Sequence, residues 1–254
     1  MSKPLQQWLI PHWPGLPPGV GVLSTTRRGG VSPAPYDDGL GGGGLNLGMH
    51  VGDQPHNVAH NRDIVRAMLP GDPAWLSQVH GTAVCDLDAI GDLDAATADA
   101  AVTGRPGTVG VVLTADCMPL FVADRGGMRV GVAHAGWRGM AAGVIENAVS
   151  SLGVDPREMI AWMGPTIGPT AFEVGPEVRE AFVAADPGAH VAFARRIAGK
   201  FMADLYGLAR QRLARAGVRE VHGGGFCTYR ETQRFFSYRR VPESGRMGAF
   251  IWME

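Results

Sequence analysis

The chain has 254 residues, of which 45% are apolar and 19% charged, and its formal net charge is -1. A chain of this length can bury a substantial core, and its composition is that of a globular protein, which excludes a disordered chain. The near-neutral charge gives no overall attraction to nucleic acid or to an anionic membrane, so we expect neither as a partner and expect any anion site to be local. The sequence contains no repeat, low-complexity linker or composition break, which favours a single domain over residues 1–254.

The compartment follows from the cysteines and from the apolar segments. Prolines interrupt the first 20 residues, so no signal peptide is expected. The most apolar run, 109–122, contains Asp116 and is shorter than the about 20 residues that span a bilayer. The three cysteines, Cys85, Cys117 and Cys227, cannot all pair in disulfides. We therefore expect a cytoplasmic protein with a thiol that serves another purpose, and nothing indicates an obligate protein partner.

The first elements are a strand and a helix. Residues 20–26 alternate small and apolar side chains and predict a strand, which Arg27 and Arg28 follow at a glycine turn. These arginines are compatible with an anion-binding loop and with a solvated basic turn, and the local sequence leaves both open. After a glycine-rich loop, Asp53 is predicted to cap a helix that begins near Pro55 and continues to about residue 69.

The central strands each lead to a possible metal ligand. Residues 75–79 predict a strand that ends at His80, and 83–87 and 98–103 predict two further strands. The continuous apolar run 109–114 is typical of a strand buried on both faces, and Cys117 follows it directly. After a resumed strand at 120–123, residues 128–133 predict a strand that ends at His134. We expect the three side chains to meet where neighbouring strands end.

The second half of the chain alternates helices and strands. A helix is predicted from residue 136 to about 152, and its N-terminal N–H groups would favour an anionic substrate group beside His134. Strands are expected at 159–163 and 247–253 and helices at 177–184 and 201–216, and residues 219–222 lead into a glycine run.

His80, Cys117 and His134 form a donor set that suits a catalytic zinc, which takes three protein ligands and keeps one position open. A multicopper centre needs more histidines, and the eight present include no His-x-His pair. A single copper with Met118 as axial ligand ranks below zinc, because extended Cys117 and Met118 side chains point to opposite faces. Two further hypotheses about the function remain. One is a hydrolase with Cys117 as nucleophile, His134 as base and His80 as helper, and the other is a metal-stabilised binding module.

The sequence resembles the laccase-domain family, also called the peptidoglycan editing factor or polyphenol oxidase family, over nearly its whole length. The matching phrases are Thr26-Arg27 with Gly30-Val31-Ser32, Leu45-Asn46-Leu47, His50-Val51-Gly52-Asp53, Asn61-Arg62, Gln78-Val79-His80-Gly81, Asp99-Ala100, Val102-Thr103, Thr114-Ala115-Asp116-Cys117, Ala133-His134-Ala135-Gly136-Trp137-Arg138-Gly139, Gly164-Pro165, Ile167-Gly168, Phe172-Glu173-Val174-Gly175, Cys227-Thr228 and Phe235-Phe236-Ser237-Tyr238-Arg239.

This resemblance implies a single α/β (α+β) domain with mixed sheets layered with helices, in an α/β/β/α arrangement like that of cysteine hydrolases. It also implies zinc bound by His80, Cys117 and His134, phosphorolysis of purine nucleosides to base and ribose 1-phosphate, and adenosine deamination. The partners would then be purine nucleosides and phosphate. For such a reaction, four arginines are candidates to hold phosphate, and two further polar residues are candidates to contact the base or zinc-bound water. The arginines are Arg27, Arg28, Arg138 and Arg239, and the polar residues are Gln78 and Asp116. The alternatives under the family's other names are a copper polyphenol oxidase and a hydrolase that edits peptidoglycan precursors.

Overall fold

The structure is a computed structural model, and it describes residues 7–89 and 96–254. The strands are β1 Val20–Ser24, β2 Arg28–Ser32, β3 Pro73–Ala74, β4 Val84–Asp86, β5 Ala100–Thr103, β6 Val109–Thr114, β7 Met118–Asp124, β8 Val130–Ala135, β9 Met159–Met163, β10 Glu173–Val174, β11 Phe193–Arg195, β12 Phe201–Ala203, β13 Glu220–Gly223 and β14 Met247–Met253. The α-helices are α1 Pro55–Arg66, α2 Trp137–Ala142, α3 Val144–Ser151, α4 Pro176–Ala185 and α5 Leu205–Arg215. Short 3₁₀ helices span Pro156–Glu158, Pro187–Ala192 and Ile197–Gly199.

Two mixed sheets form the centre of the molecule. The first has the strand order β1-β14-β6-β3 and the second the order β13-β9-β7-β8-β5-β4. Most neighbouring strands are antiparallel, and the edge pairs β3 with β6, β4 with β5, and β13 with β9 are parallel. A small third sheet has the order β10-β12-β11.

The apolar residues divide into layers that define the architecture. One cluster fills the space between the two large sheets, a second lies between the six-stranded sheet and α2 to α5, and a third lies between the four-stranded sheet and α1. The layers arise because successive side chains of a strand point to opposite faces: along β7, Leu120 and Val122 face the helices, and Phe121 and Ala123 face the other sheet. The predicted fold class, mixed sheets in an α/β/β/α arrangement, is confirmed.

Three predicted elements differ from the structure. The strand expected at 75–79 is irregular, because side chains satisfy its backbone: the Gln78 amide pairs with the N–H and C=O of Leu113, and Asp99 accepts the N–H groups of residues 79–81. The helix expected at 136–152 is divided into α2 and α3 at Gly143, where φ is 108°. The start of the helix expected at 201–216 is instead β12, which pairs with both β10 and β11.

The predicted role of Asp53 as a helix cap is also wrong. The cap position of α1 is held by Gln54 without a side-chain bond, and Asp53 instead accepts hydrogen bonds from Ser32 and Asn46. In the part of the chain that the structure describes, no helix combines the length and the apolar character needed to cross a membrane.

Candidate metal centre and active site

The three predicted ligands meet at one end of the six-stranded sheet. His80 lies in the turn after the irregular segment 75–79, Cys117 precedes β7, and His134 lies inside β8 rather than after it. One ligand atom from each residue lies within 4.8 Å of the others. Ligand atoms around a tetrahedral zinc with ordinary bond lengths are roughly 3.3–3.8 Å apart, so side-chain adjustments of about an ångström would bring all three onto one ion. Exposure increases from His134 through Cys117 to His80, which leaves the cluster open on one side.

Asp99 organises two of these ligands, a role that its local sequence does not indicate. Its carboxylate is fully buried, and Oδ1 lies 2.8 Å from Nδ1 of His134 and accepts the N–H of His80 at 2.9 Å. Oδ2 accepts the N–H groups of Val79 and Gly81 at 3.2 and 2.6 Å. These bonds hold His80 in a left-handed conformation with φ of 59° and direct Nε2 of His134 toward the cluster.

Asp116 performs a similar task for Cys117. It has a φ of 88°, and its side chain accepts hydrogen bonds from the Thr228 hydroxyl at 2.5 Å and from the N–H of Arg239 at 2.7 Å. Its carbonyl accepts the Thr166 hydroxyl and the N–H of Ile167. Two C-terminal loops are thereby fixed against the turn that presents the thiol, so Asp116 lines the cavity while its side-chain oxygens bond to the protein itself.

The electrostatics of the cluster favour a thiolate. Burial by itself raises the pKa of Cys117, but the adjacent His134 and His80 outweigh this effect and lower it to about 6. Burial lowers the pKa of His134, and the Cys117 thiolate and the Asp99 carboxylate outweigh that effect and raise it. Because thiolate is the form of cysteine that binds metal and attacks electrophiles, the sulfur is prepared for either use.

The cluster lies in a cavity of about 770 Å³, a volume typical of small-molecule sites. Aromatic and aliphatic side chains form much of its wall: Leu76, Leu113, Trp137, Ile167, Phe172, Leu205 and Tyr238. The polar and cationic lining consists of His50, Gln78, Asp116, Arg138, Arg239 and Arg246 together with the three candidate ligands. Ring faces beside guanidinium groups can accept a flat heterocycle and an anion in one cavity.

The structure brings two of the four predicted arginines to this cavity. Arg138 is stacked at 4.4 Å over the Trp137 ring, and Arg239 donates to the carbonyl of Glu173 at 2.8 Å. Arg246 lines the cavity as well and was missed, because its local sequence carries no motif. His50, which also lines it, has a pKa lowered by partial burial and by the charges of Arg246 and Arg62.

Arg27 and Arg28 do not belong to the cavity lining. The Arg27 guanidinium is buried against Asp37 and the carbonyl of Thr232, and that of Arg28 donates to the carbonyl of Gln233. Both arginines hold chain segments together, so we do not assign them to phosphate binding. Gln78 does line the cavity, but both ends of its amide are bonded to Leu113.

Comparison with known proteins identifies the family to which the chain belongs. The sequence matches the family described as multi-copper polyphenol oxidoreductase laccase over residues 21–254. Relatives named purine nucleoside phosphorylase, from Pseudomonas aeruginosa and Escherichia coli, are each 50% identical over 98% of this chain and 100% of their own length. A crystal structure of a Neisseria meningitidis protein superposes with a TM-score of 0.90 and 45% identity, covering 98% of this chain and 99% of that one. The chain belongs to this laccase family, and the resemblance inferred from its motifs is confirmed.

Proposed function

We propose that this protein is a zinc-dependent purine nucleoside phosphorylase, which converts adenosine, inosine and related nucleosides with phosphate into free base and ribose 1-phosphate. The observation that supports it most is the combination in one cavity of an open His80-Cys117-His134 cluster, aromatic rings and three arginines. The relatives at 50% identity carry the name of this activity.

The donor set fits zinc. One thiolate and two imidazoles are ligands that zinc accepts readily, and a set of three would leave one coordination position for water or substrate. The metal, when bound, would supply a Lewis acid and lower the pKa of water to about 7. One group of three ligands fits a multicopper oxidase poorly, and within residues 7–89 and 96–254 His80, Cys117 and His134 are the histidine, cysteine and carboxylate side chains grouped closely enough to share an ion.

The protein's own residues account for binding and orientation. We assign the phosphate to Arg138, Arg239 and Arg246, because guanidinium groups bind phosphate oxygens in pairs. We assign the purine to the ring faces of Trp137 and Phe172. In the reaction a phosphate oxygen bonds to the anomeric carbon while the glycosidic bond breaks. The electron pair of the broken bond leaves with the purine nitrogen, which takes a proton.

The proposal also includes adenosine deamination as a side activity and a cytoplasmic location. Hydrolytic deamination of adenosine would use the same open side of the cluster: water would attack the purine ring carbon that bears the amino group, and ammonia would leave. A cytoplasmic location suits the three free cysteines, Cys85, Cys117 and Cys227.

A product assay tests the proposal. Incubation with adenosine and phosphate is expected to give adenine and ribose 1-phosphate, and His80→Ala is expected to abolish this reaction. His60→Ala is the matched control, because His60 is an exposed histidine on α1 outside the cavity lining. Phosphate-independent product, or unchanged turnover in His80→Ala, would refute the assignment. Stoichiometric copper in protein purified without added metal, together with phenol oxidation, would favour the oxidase instead.

A second candidate function, a cysteine hydrolase acting on an amide such as a peptidoglycan precursor, is favoured by one specific geometry. Cys117 would be the nucleophile, His134 the base, and Asp99 the carboxylate that orients the base. Nδ1 of His134 lies 2.8 Å from Oδ1 of Asp99. Covalent labelling of Cys117 by an electrophilic substrate analogue in metal-depleted protein, with amide cleavage in the same preparation, would support it. Absence of both, alongside phosphorolysis by the zinc form, would exclude it.

A further inference from the structure

A second cavity, of about 290 Å³, lies beside the small sheet formed by β10, β12 and β11. We call it the basic cavity, because its lining includes four cationic side chains and one carboxylate: Arg179, Arg195, Arg196, Lys200 and Glu180. None of these residues lines the large cavity that holds the metal cluster. The predicted functions give this group no role.

The fold brings these charges together from separate elements. Arg195 on β11 lies directly opposite Phe201 on β12, and the guanidinium of Arg179 on α4 lies 5.3 Å from the centre of the Phe201 ring. The turn between the strands is closed by a hydrogen bond from the N–H of Arg196 to the carbonyl of Lys200, at 2.8 Å. Arg196 and Lys200 at the turn therefore line the same cavity as Arg179 on α4 and Arg195 on β11.

The local charges do not cancel. Lys200 is paired with Glu173 at 2.7 Å, and Glu180 offsets one further cation of the lining, which leaves a surplus of two positive charges. The chain as a whole is nearly neutral, so this surplus is a property of the site and not of the composition. The ion pairs and side-chain hydrogen bonds within residues 7–89 and 96–254 do not include the guanidinium of Arg195 or Arg196, and the charge of Arg196 contributes, after Lys200, to lowering the pKa of Glu173. The guanidinium groups of Arg195 and Arg196 are thus available to an anion.

We propose that the basic cavity binds a compact oligophosphate, namely a diphosphate group that is free or forms the end of a small molecule. Two available guanidinium groups can each take a pair of phosphate oxygens, and a diphosphate offers enough oxygens for both. The volume is at the lower limit of small-molecule sites, which favours a ligand group of this size over a larger one. This site is independent of the proposed phosphorylase activity.

The test must separate the two cavities, because Glu173 pairs with Lys200 and also accepts a hydrogen bond from Arg239 of the large cavity. Amide resonances of the ¹⁵N-labelled protein can be followed by NMR while inorganic pyrophosphate is added at low ionic strength. We expect saturable shifts concentrated in residues 177–180 and 195–201. A parallel titration with adenosine 5′-diphosphate distinguishes the sources: weaker binding than pyrophosphate indicates a free ligand, and equal or tighter binding indicates a terminal group.

The matched variants are two double substitutions that remove the same charge. Arg195→Ala with Arg196→Ala is expected to weaken pyrophosphate binding roughly tenfold or more. Arg157→Ala with Arg219→Ala removes two exposed arginines that line neither cavity and is expected to leave the affinity unchanged. Shifts confined to the large cavity, shifts without saturation, or equal affinity in both double variants would overturn the proposal.

Discussion

Asp99→Asn is the substitution that most directly tests how the candidate metal centre is held. Asparagine has nearly the same shape but presents one acceptor oxygen and one amide nitrogen where the carboxylate presents two acceptors. In one orientation the nitrogen faces Nδ1 of His134 and the N–H of His80, and in the other it faces the N–H groups of Val79 and Gly81. Either way two hydrogen bonds to a charged acceptor are lost.

The expected magnitude follows from these bonds. Hydrogen bonds to a charged group are worth about 1.5–3 kcal/mol each, so the two lost bonds set a gross loss of about 3–6 kcal/mol, part of which relaxation recovers. A nitrogen beside His134 favours the ring form with its proton on Nε2, which cannot bind metal, and a nitrogen beside Val79 releases the turn that presents His80. We therefore expect zinc affinity to fall about 10- to 100-fold, equivalent to about 1.4–2.7 kcal/mol.

The assay is zinc binding by chelator competition, with the absorption spectrum of the cobalt-substituted protein as a second readout of ligand geometry. Asp124→Asn is the matched control, because Asp124 is also a buried carboxylate and accepts the N–H groups of Gly126, Met128 and Arg129. Asp124 does not line the cavity, so its substitution should reduce stability but leave zinc affinity and the cobalt spectrum unchanged. Unchanged affinity in Asp99→Asn, or an equal loss in both variants, would refute the positioning role.

Three further outcomes are expected. Arg246→Lys should raise the phosphate KM about tenfold with little change in the nucleoside KM. The control Arg240→Lys alters an arginine outside the cavity lining and should leave the phosphate KM unchanged. Equal effects of the two substitutions on the phosphate KM would contradict the phosphate assignment. Phe121→Ala should lower the free energy of unfolding by about 3–5 kcal/mol in denaturant titrations, because this ring is fully buried between the sheets, and a loss near zero would contradict that packing. Burial raises the pKa of Asp88, but hydrogen bonds to its carboxylate, first among them the one from the Thr103 hydroxyl, outweigh burial and lower the pKa. The ionised carboxylate therefore stabilises the fold at pH values above its unfolded pKa of about 4. The stability difference between wild type and Asp88→Asn, about 1 kcal/mol at pH 7, should therefore diminish as the pH falls below 4, and a constant difference from pH 7 to 3 would contradict it.

The sequence by itself indicated the three candidate metal ligands and most of the strands. His80, Cys117 and His134 are recognisable because their side chains are metal donors that stand beside turns and predicted strands. The strands β6, β9 and β14 follow from continuous apolar runs, since a strand covered on both faces has no polar face to show. These features are local, and local patterns of hydrophobicity and turn residues report them directly.

Only the tertiary structure decided which side chains support that chemistry. From the sequence, Arg27 was a candidate to hold phosphate and Arg246 had no assigned role, but Arg27 is buried against Asp37 and Arg246 lines the cavity. Asp99 gains its role because β5 lies beside β8 and because its carboxylate also reaches the turn at His80. Such roles depend on which strands become neighbours and on which backbone groups still need a partner, and both are fixed by contacts between residues far apart in the chain.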